Sequence, residues 1–538
     1  MKETHSLTRS AGIISSATLL SRLLGLIRDI LTAAFFGTGL AMSAFVVAFT
    51  IPNLFRRLFG EGALNAAFIP VFSTYLEKEG KKEAWRLASA VISLVAVFLA
   101  VLVLAGIILF WLIDHSFTLT ENYVLVLKLL QIMFPYLFFI CLVGLAMGIL
   151  NSFRHFTIPA LAPVILNLVW IASLFLLCPR FGERLDRRIF GLAVGVVIAG
   201  FLQLLMQVPP LRRRGLSFRF ILDLRHPGVR KIIYLMGPAV LGLAVVQLNI
   251  VIDRFLAMII GNGAPAALYF GNRLVQFPLG VFGVALATAA LPTLSSQVAR
   301  SKFNEFKTTF AYVLTSVFLV TVPASLGLIV LRRPIIRLIF QYRQFGLEST
   351  EAVSWVLLFY SMGLFGFAGL KIVTQAFYSF QDTRTPVKVG VGAMLVNLVL
   401  NLMVVFNPWL RTHLREGGLA LTTSLAGLLN LLFLIFLLRR RLGPLGGRQI
   451  FSSLGRIAIA SGVMALSAWV SLVLIRQLRW EDNLPFRLLQ VFLPLLIGVA
   501  VYLGMAAILK IRVASELRRA FSRKNVRSPN NPSPSEDQ

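Results

Sequence analysis

The feature that most constrains this chain is the recurrence of apolar stretches of ~18 or more residues from one end to the other. They begin near residues 12, 40, 86, 123, 158, 188, 232, 264, 306, 352, 386, 416, 456 and 487, about fourteen in all. Hydrocarbon offers no partner to a backbone N–H or C=O, so a stretch of this length must satisfy its amides internally as a helix. The expected fold class is therefore an all-α polytopic membrane protein with about fourteen transmembrane helices. Composition agrees: 57% of residues are hydrophobic and 14% charged, where a soluble chain carries roughly 25% charge. An ordinary water-soluble enzyme, a disordered chain and a secreted disulfide scaffold are excluded. Cys141 and Cys178 sit in or beside apolar runs and are expected as buried thiols. The first span is not a signal peptide, because it contains Arg22, Arg28 and Asp29 and lacks a small-residue cleavage site.

The chain has 52 Lys+Arg against 22 Asp+Glu, a net charge of +30. Nucleic-acid binding would need a soluble basic domain, and no polar stretch is long enough to fold as one. Topology signals must carry most of this charge. The segment 211–231 holds Arg212, Arg213, Arg214, Arg219, Arg225, Arg230 and Lys231 against Asp223 alone. Residues 439–456 hold Arg439, Arg440, Arg441, Arg448 and Arg456 with no acid. Lys78, Lys81, Lys82 and Arg86, then Arg300, Lys302 and Lys307, and finally the C-terminal tail are also basic. All follow even-numbered spans, which predicts that both termini are cytoplasmic. Arg332, Arg333, Arg337 and Arg343 fall on the opposite side, so Arg332–Phe340 is read as an interfacial amphipathic helix. The Ser-, Pro- and Asn-rich residues 525–538 read as a disordered tail.

The two halves of the chain repeat each other. Asp29 is followed eight residues later by Gly37-Thr38-Gly39, and Asp253 eight residues later by Gly261-Asn262-Gly263. The segment Ala63 to Ser73 parallels Ala285 to Ser295, and Ser152-Phe153 with Pro159 parallels Ser379-Phe380 with Pro386. The offsets are 224, 222 and 227 residues (Asp29 to Asp253, Ala63 to Ala285, Ser152 to Ser379). A shift of this size covers an even number of spans, so the two copies share one orientation and are parallel repeats. The expected organisation is an N-terminal lobe over 1–210, a basic cytoplasmic linker over 211–231 and a C-terminal lobe over 232–441. Two further spans follow over 442–512, with a tail over 513–538. Each lobe is a six-helix repeat, and two C-terminal helices lie outside the repeat. Such lobes enclose a midplane cavity and rock around it, which favours a transporter over a channel or an intramembrane enzyme.

Ionisable groups at membrane depth are costly, so each is a functional candidate. They are Arg22, Arg28 and Asp29 in span 1, Arg56, Arg57 and Glu61 near the end of span 2, Asp253 and Arg254 in span 7, Arg273 in span 8 and Lys371 in span 10. Arg57 and Glu61, four apart, either pair on one helix face or line a cavity. Lys371 can snorkel to the interface. Arg22 and Asp29, seven apart, share a face, with Arg28 on a neighbouring one. One carboxylate cannot neutralise two guanidiniums, and with Arg56 and Arg273 the surplus is about three positive charges. Either unseen partners absorb it or the cavity takes an anion, and the guanidinium fork matches phosphate oxygens. Pro52 ahead of Arg56, and Pro278 and Gly280 after Arg273, are expected to kink spans 2 and 8 around such a site. No Walker A, HExxH or CxxC pattern occurs, and His5, His115, His155, His226 and His413 are scattered. The sequence therefore suggests no catalytic residue, no metal centre and no internal ATP hydrolysis.

Ser21-Arg22-Leu23-Leu24-Gly25-Leu26-Ile27-Arg28-Asp29 resembles the first-helix signature of the MurJ/MviN family of lipid II flippases, within the MOP transporter superfamily. So does the run from Pro52-Asn53-Leu54-Phe55-Arg56-Arg57 through Glu61-Gly62-Ala63 to Phe68-Ile69-Pro70. Asn272-Arg273-Leu274, Phe277-Pro278 and Gly283-Val284-Ala285-Leu286 resemble the family's eighth helix, and Gln381-Asp382-Thr383 with Thr385-Pro386-Val387-Lys388 its tenth-to-eleventh connection. The resemblance covers nearly the whole chain except the polar tail. It implies fourteen helices in two six-helix lobes plus two more. The implied substrate is lipid II, an undecaprenyl-diphosphate-linked disaccharide-pentapeptide, and the implied location is the bacterial cytoplasmic membrane. The family's essential cavity arginines fall on Arg22, Arg28, Arg56 and Arg273, with Asp29 beside them. Ser43 and Gln276 stand where some relatives carry acids, and with Arg57 and Glu61 they are candidate cavity-lining residues. A sodium site described in some relatives points to Asp253, Asn397, Asn401 and Thr423, whose oxygens suit a hard cation. Interhelical hydrogen bonding is the alternative for these residues. Sodium or the membrane potential is then the candidate driving force. Membrane lipids and cell-wall synthesis or division proteins are candidate partners. Two rivals stay open: export of another polyprenyl-diphosphate glycolipid, and a non-transporting scaffold for cell-wall enzymes.

Overall fold

The computed structural model describes residues 2–60, 62–478 and 480–511, and within these every regular element is helical. In chain order they are α1 (Lys2–Phe36), α2 (Leu40–Phe55), α3 (Ala63–Lys78), α4 (Gly80–Ser116), α5 (Glu121–Met133), α6 (Pro135–Ser152), α7 (Thr157–Leu176) and α8 (Leu185–Arg213). After the basic segment come α9 (Pro227–Ile260), α10 (Ala264–Pro278), α11 (Ala285–Ala299), α12 (Phe303–Phe340), α13 (Leu347–Ser379), α14 (Arg384–Phe406), the short α15 (Pro408–Leu414) and α16 (Gly417–Leu442). α17 (Gly447–Gln477) and α18 (Leu484–Ile508) follow.

Among the described residues, eleven helical stretches are long and apolar enough to cross a membrane. The three other expected spans coincide with α1, the α2–α3 stretch and α9. The outward faces have the character that lipid requires. On α4, Phe98, Val101, Leu104, Ile108 and Leu112 are all exposed at three- and four-residue spacing, an apolar stripe that water would not tolerate.

Both expected break points carry π-turns. Arg56–Gly60 follows Pro52, and Leu279–Val284 follows Pro278 directly. A proline ring removes one amide donor and crowds the carbonyl four residues back, which loosens the turn before it, and each π-turn lies on the C-terminal side of that point. Arg154 and Gln381, 227 positions apart, both adopt positive φ (56° and 58°). Behind each, the next amide returns to the preceding helix: His155 N–H to Leu150 O at 2.9 Å and Asp382 N–H to Phe377 O at 3.1 Å. Both are helix ends closed by the same left-handed cap.

Arg332–Phe340 is not a separate interfacial helix. It is the last part of α12, which continues through Pro323 and Pro334 for 38 residues. At 1.5 Å per residue that is about 57 Å, longer than a bilayer, so the basic end emerges along the same axis. There Arg337 pairs with Asp482 at 2.7 Å. The basic segment after α8 runs extended beside α4, with the Arg219 and Ile221 amides donating to the Ser89 and Ser93 hydroxyls (3.4 and 3.1 Å).

The chain forms two compact units. One comprises the chain up to Phe270 with Ile339–Val356 and Met394–Leu419, and the other Gly271–Leu338, Leu357–Ala393 and the chain from Ala420. Within the first, Phe68, Phe72, Trp85 and Phe153 follow one another in aromatic contact, stacked, edge-to-face and stacked, with ring centroids 5.2, 6.1 and 5.4 Å apart. Within the second, Phe306, Phe310, Phe318 and Tyr502 anchor the core, and the Tyr502 hydroxyl donates to Leu319 O at 2.6 Å.

Asp382 fastens the start of α14. It accepts from the Thr385 amide (3.0 Å), the Thr385 hydroxyl (2.8 Å) and Arg441 (3.3 Å), and the Arg441 guanidinium also lies 4.7 Å over the Phe380 ring. Burial alone would raise the Asp382 carboxyl, but these donors outweigh it and hold it below its ordinary range. Its contribution is therefore complete at neutral pH and lost as pH falls through the depressed value. Asp382→Asn is expected to cost about 1 kcal/mol at pH 7, as for a lost helix cap. The gap to the wild type should close as pH is taken below ~4 in thermal unfolding. An identical pH dependence for the two chains would remove the charge from this account.

Candidate functional site

The site begins on α1, where Arg28 and Asp29 are buried to 5% and 3% exposure. Two ions at that depth cost several kcal/mol each unless they are paired and fully hydrogen-bonded. Here they are. Asp29 Oδ1 accepts from Arg28 Nη2 at 2.7 Å, Arg28 Nε at 3.1 Å and the Tyr269 hydroxyl at 2.9 Å. Arg28 Nη1 donates to Asn167 Oδ1 at 3.1 Å, and Nη2 also reaches the Tyr269 oxygen at 3.2 Å. The guanidinium carbon sits 4.6 Å over the Trp170 ring, a cation–π contact. Trp170 is itself held by donation to Thr32 Oγ1 (3.0 Å), whose proton goes to the Arg28 carbonyl (2.7 Å). Asn167 is fixed from the other side by donation to Ser21 O at 3.0 Å.

The remaining expected residues are placed differently. Arg22 shares a helix face with Asp29 by spacing, but its side chain is exposed, and Arg28 is the arginine that Asp29 neutralises. Arg56 opens the first π-turn, half-buried, with Nε donating to Asn53 at 2.9 Å. Arg57 is exposed and reaches Gln247 at 3.3 Å. Glu61 lies outside the described residues, as does the expected tail. Ser43, expected to line a cavity, is fully buried and accepts the Ala266 amide at 3.3 Å, so it serves the first turn of α10. Arg273 and Gln276 are exposed on α10 in the second compact unit, with Gln276 donating to Asn272 at 2.6 Å.

A second polar cluster surrounds Asp253. Its carboxylate accepts from Asn401 (2.6 Å), Asn397 (3.2 Å) and Asn249 (3.2 Å), and Asn397 also donates to Asn249 (3.2 Å). Asn397 and Asn401 are essentially buried, and Asn397 Oδ1 has no hydrogen-bond partner. One carboxylate, amide oxygens and an orphaned oxygen fit a hard monovalent cation. Thr423 belongs to the other unit. Arg254 is turned to Pro265 O at 2.9 Å, a structural role. No group of three or more His, Cys, Asp or Glu side chains with metal-binding geometry occurs among the described residues.

The repeated Gly-X-Gly motifs meet at one end of the first unit. A Cβ on Gly263 would lie 2.9 Å from Thr38 O, and one on Gly37 would lie 2.6 Å from Gln344 O. The Thr38 hydroxyl donates to Ser349 at 2.8 Å, and the Gln344 amide to Ala34 O at 3.1 Å.

Sequence reasoning found the charges but missed Asn167, Trp170, Tyr269 and Asn249. The available signal was polar residues within apolar spans, which tend to bond across helices. Asn167 and Asn397 also stand 230 positions apart, close to the repeat offset.

The chain was compared with known proteins. The sequence model of the family described as "Lipid II flippase MurJ" matches residues 32–514. The chain is 34% identical over 524 residues to a probable lipid II flippase MurJ of Vibrio cholerae, covering 94% of this chain and 97% of that one. It is 34% identical over 445 residues to the lipid II flippase MurJ of Burkholderia cenocepacia, covering 81% and 84%. A solved structure of lipid II flippase MurJ in an inward closed conformation superposes with a TM-score of 0.74 at 26% identity, over 96% of this chain and 99% of that one. An inward-facing MATE transporter of the MOP superfamily shares the fold at 16% identity and a TM-score of 0.64, over 81% of this chain and 99% of that one. The chain belongs to the MurJ family of lipid II flippases, membrane transporters rather than enzymes.

Proposed function

We propose that this chain carries lipid II from the inner to the outer leaflet of the bacterial cytoplasmic membrane by alternating access, with both termini in the cytoplasm. The observation that carries the reading is a set of arginines on spanning helices, Arg22, Arg28, Arg56 and Arg273, with Asp29 paired to Arg28. Four guanidiniums on spanning helices favour an anionic ligand. The paired oxygens of a diphosphate match guanidinium forks. Asp29 would repel that diphosphate, so its part is to orient Arg28 and to hold it before substrate arrives. The sugar-peptide headgroup occupies the hydrated cavity and the polyprenyl tail stays in lipid, along α17 and α18. Neutralisation of the arginines by substrate favours rocking of the lobes and release on the outer face.

Asp253, Asn249, Asn397 and Asn401 would hold a sodium ion, whose gradient supplies driving force when it is bound. Internal symmetry supports this reading. Asp29 and Asp253 are equivalent in the repeat, and the guanidinium of Arg28 is the cation beside Asp29. Ile252 stands at the matching position in the second copy, and Arg254 is turned to Pro265 O, which leaves the Asp253 cluster room for a cation from solution. Asn401→Leu is expected to weaken sodium-dependent transport at least tenfold, since one oxygen ligand of a small cage is lost. Equal sodium dependence of the variant and the wild type would remove the cation from this cluster.

Cells depleted of this protein should lose lipid II exposure at the outer leaflet, with rescue by the wild type and none by Arg28→Ala. Unchanged exposure after depletion would favour export of another polyprenyl-diphosphate glycolipid. Rescue by a chain with all four arginines replaced would favour the scaffold reading.

A further inference from the structure

The segment between α8 and α9 has a pattern of its own. Residues 216–223 are extended, and Gly215 before them takes a left-handed φ of 93°, which turns the chain off α8. The Arg219 amide donates to the Ser89 hydroxyl and the Ile221 amide to the Ser93 hydroxyl. Two residues of extended chain cover about 6.6 Å and four residues of helix about 6 Å, so the segment runs beside α4 in the same direction. Leu216 and Ile221 pack against the cluster that holds Trp85 and Leu87. Residues 87–96 of α4 are all buried or half-buried, and one turn past Ser93 the exposed apolar stripe begins with Val97 and Phe98. At the level of Ser89 and Ser93 the extended segment takes over the outward face. Phe218, Phe220, Leu222 and Leu224, at every second position, are 53–65% exposed.

A loop in water is polar where this face is apolar, and the face continues the lipid-facing stripe of α4. The charge around it is of one sign. Arg212, Arg213, Arg219, Arg225 and Arg230 are exposed. The one acid in the sequence of this segment, Asp223, turns its carboxylate to the Arg225 and His226 amides at 2.9 and 3.1 Å. The backbone sets the depth. An extended chain leaves amides and carbonyls that no helical ladder satisfies, which hydrocarbon forbids and a hydrated headgroup layer allows. An apolar face rimmed by arginines at that depth matches the boundary between acyl chains and anionic headgroups. We propose that residues 216–225 form a lipid-docking strap, with Phe218, Phe220, Leu222 and Leu224 in the upper acyl layer and Arg219 and Arg225 on the phosphates of anionic phospholipids. The basic linker then has two uses: its charge sets topology, and its apolar face ties the chain between α8 and α9 to the membrane surface. The connection rides in the interface instead of in the water beyond it.

The test uses the full-length protein in lipid nanodiscs, with bimane attached to Phe220→Cys. Cys141 and Cys178 are buried, and the unsubstituted chain taken through labelling supplies the background. Phe220 is exposed, so the label displaces no packing. Bimane at this position should be quenched strongly by phospholipids that carry a nitroxide high on the acyl chain. Lipids that carry it at the chain end should quench less, and aqueous iodide little. Between two lipids with the same nitroxide, phosphatidylglycerol should quench at an at least about fivefold lower mole fraction than phosphatidylcholine, the effect of one basic residue at an anionic surface. Arg219→Gln/Arg225→Gln should remove most of that preference, and high salt should weaken it. Quenching by iodide with none by lipid would overturn the strap, because the face would then lie in water. Equal quenching by the two lipids without the arginine substitutions would overturn the part given to Arg219 and Arg225.

Discussion

Arg28→Ala is expected to reduce lipid II transport by at least ~100-fold, the loss of two charge-assisted hydrogen bonds to the moving group. The same substitution leaves Asp29 buried without its counter-ion, which costs about 3–5 kcal/mol when one partner of a buried pair is removed. The two effects can be separated. Arg28→Ala combined with Asp29→Asn removes the stranded charge and should restore most of the thermal stability while leaving transport absent. Arg28→Lys keeps the charge but gives up the fork that bonds Asp29 and Asn167 together, so it should retain the fold and lose most of the activity. Transport by the stable double variant would mean that Arg28 serves the fold alone.

The second large effect is expected at the paired Gly-X-Gly motifs, where four glycines of similar appearance should behave differently. Gly37 has φ +60 and its Cβ would stand 2.6 Å from a backbone oxygen, while that of Gly263 would stand 2.9 Å from another. The first position adds left-handed strain of about 1–2 kcal/mol to the clash. Backbone cannot move aside as a side-chain tip can. Gly37→Val and Gly263→Val should therefore keep this end of α1 and α10 from closing and lower transport by ~10-fold or more, since a shift of 1.4 kcal/mol already changes a population tenfold. Gly39 and Gly261 have open space where a Cβ would go and no left-handed φ. Alanine at either should be close to neutral. Transport measurements on the four single variants decide the matter, and equal effects at all four would contradict the packing described.

What the sequence revealed, and what it hid, follows from how each feature is encoded. The helices were legible because hydrocarbon leaves the backbone no alternative, and the repeat because its marks are prolines, glycines and an aspartate with strong local meaning. The π-turns were legible only as a place. Pro52 and Pro278 locate the break, but a shift in hydrogen-bond register leaves no mark of its own. Arg332 to Phe340 misled because basic residues suggest an interface, whereas the length of α12 carries them there without a new element. In the site, Arg28 and Asp29 announced themselves by the cost of charge. Their pairing did not, because face-sharing along a helix pointed to Arg22, and a long side chain can instead fold back onto its neighbour in sequence. Asn167 and Tyr269 are neutral and lie 139 and 241 positions away from Arg28, and nothing local ties a neutral polar residue to one distant charge. Ser43 was misplaced for a similar reason, since a small hydroxyl serves equally in a wet cavity or beneath a helix end.

The central claim is that this chain moves lipid II through an arginine site. Its most direct measurement is the fraction of lipid II in sealed proteoliposomes that becomes accessible to an external headgroup-modifying enzyme, with the wild type set beside Arg28→Ala/Asp29→Asn. The account predicts that the wild type exposes the inner-leaflet pool and that the double variant, equally folded and equally inserted, leaves it protected. Protection in both would contradict flipping of lipid II by this chain, and exposure in both would contradict the part assigned to Arg28.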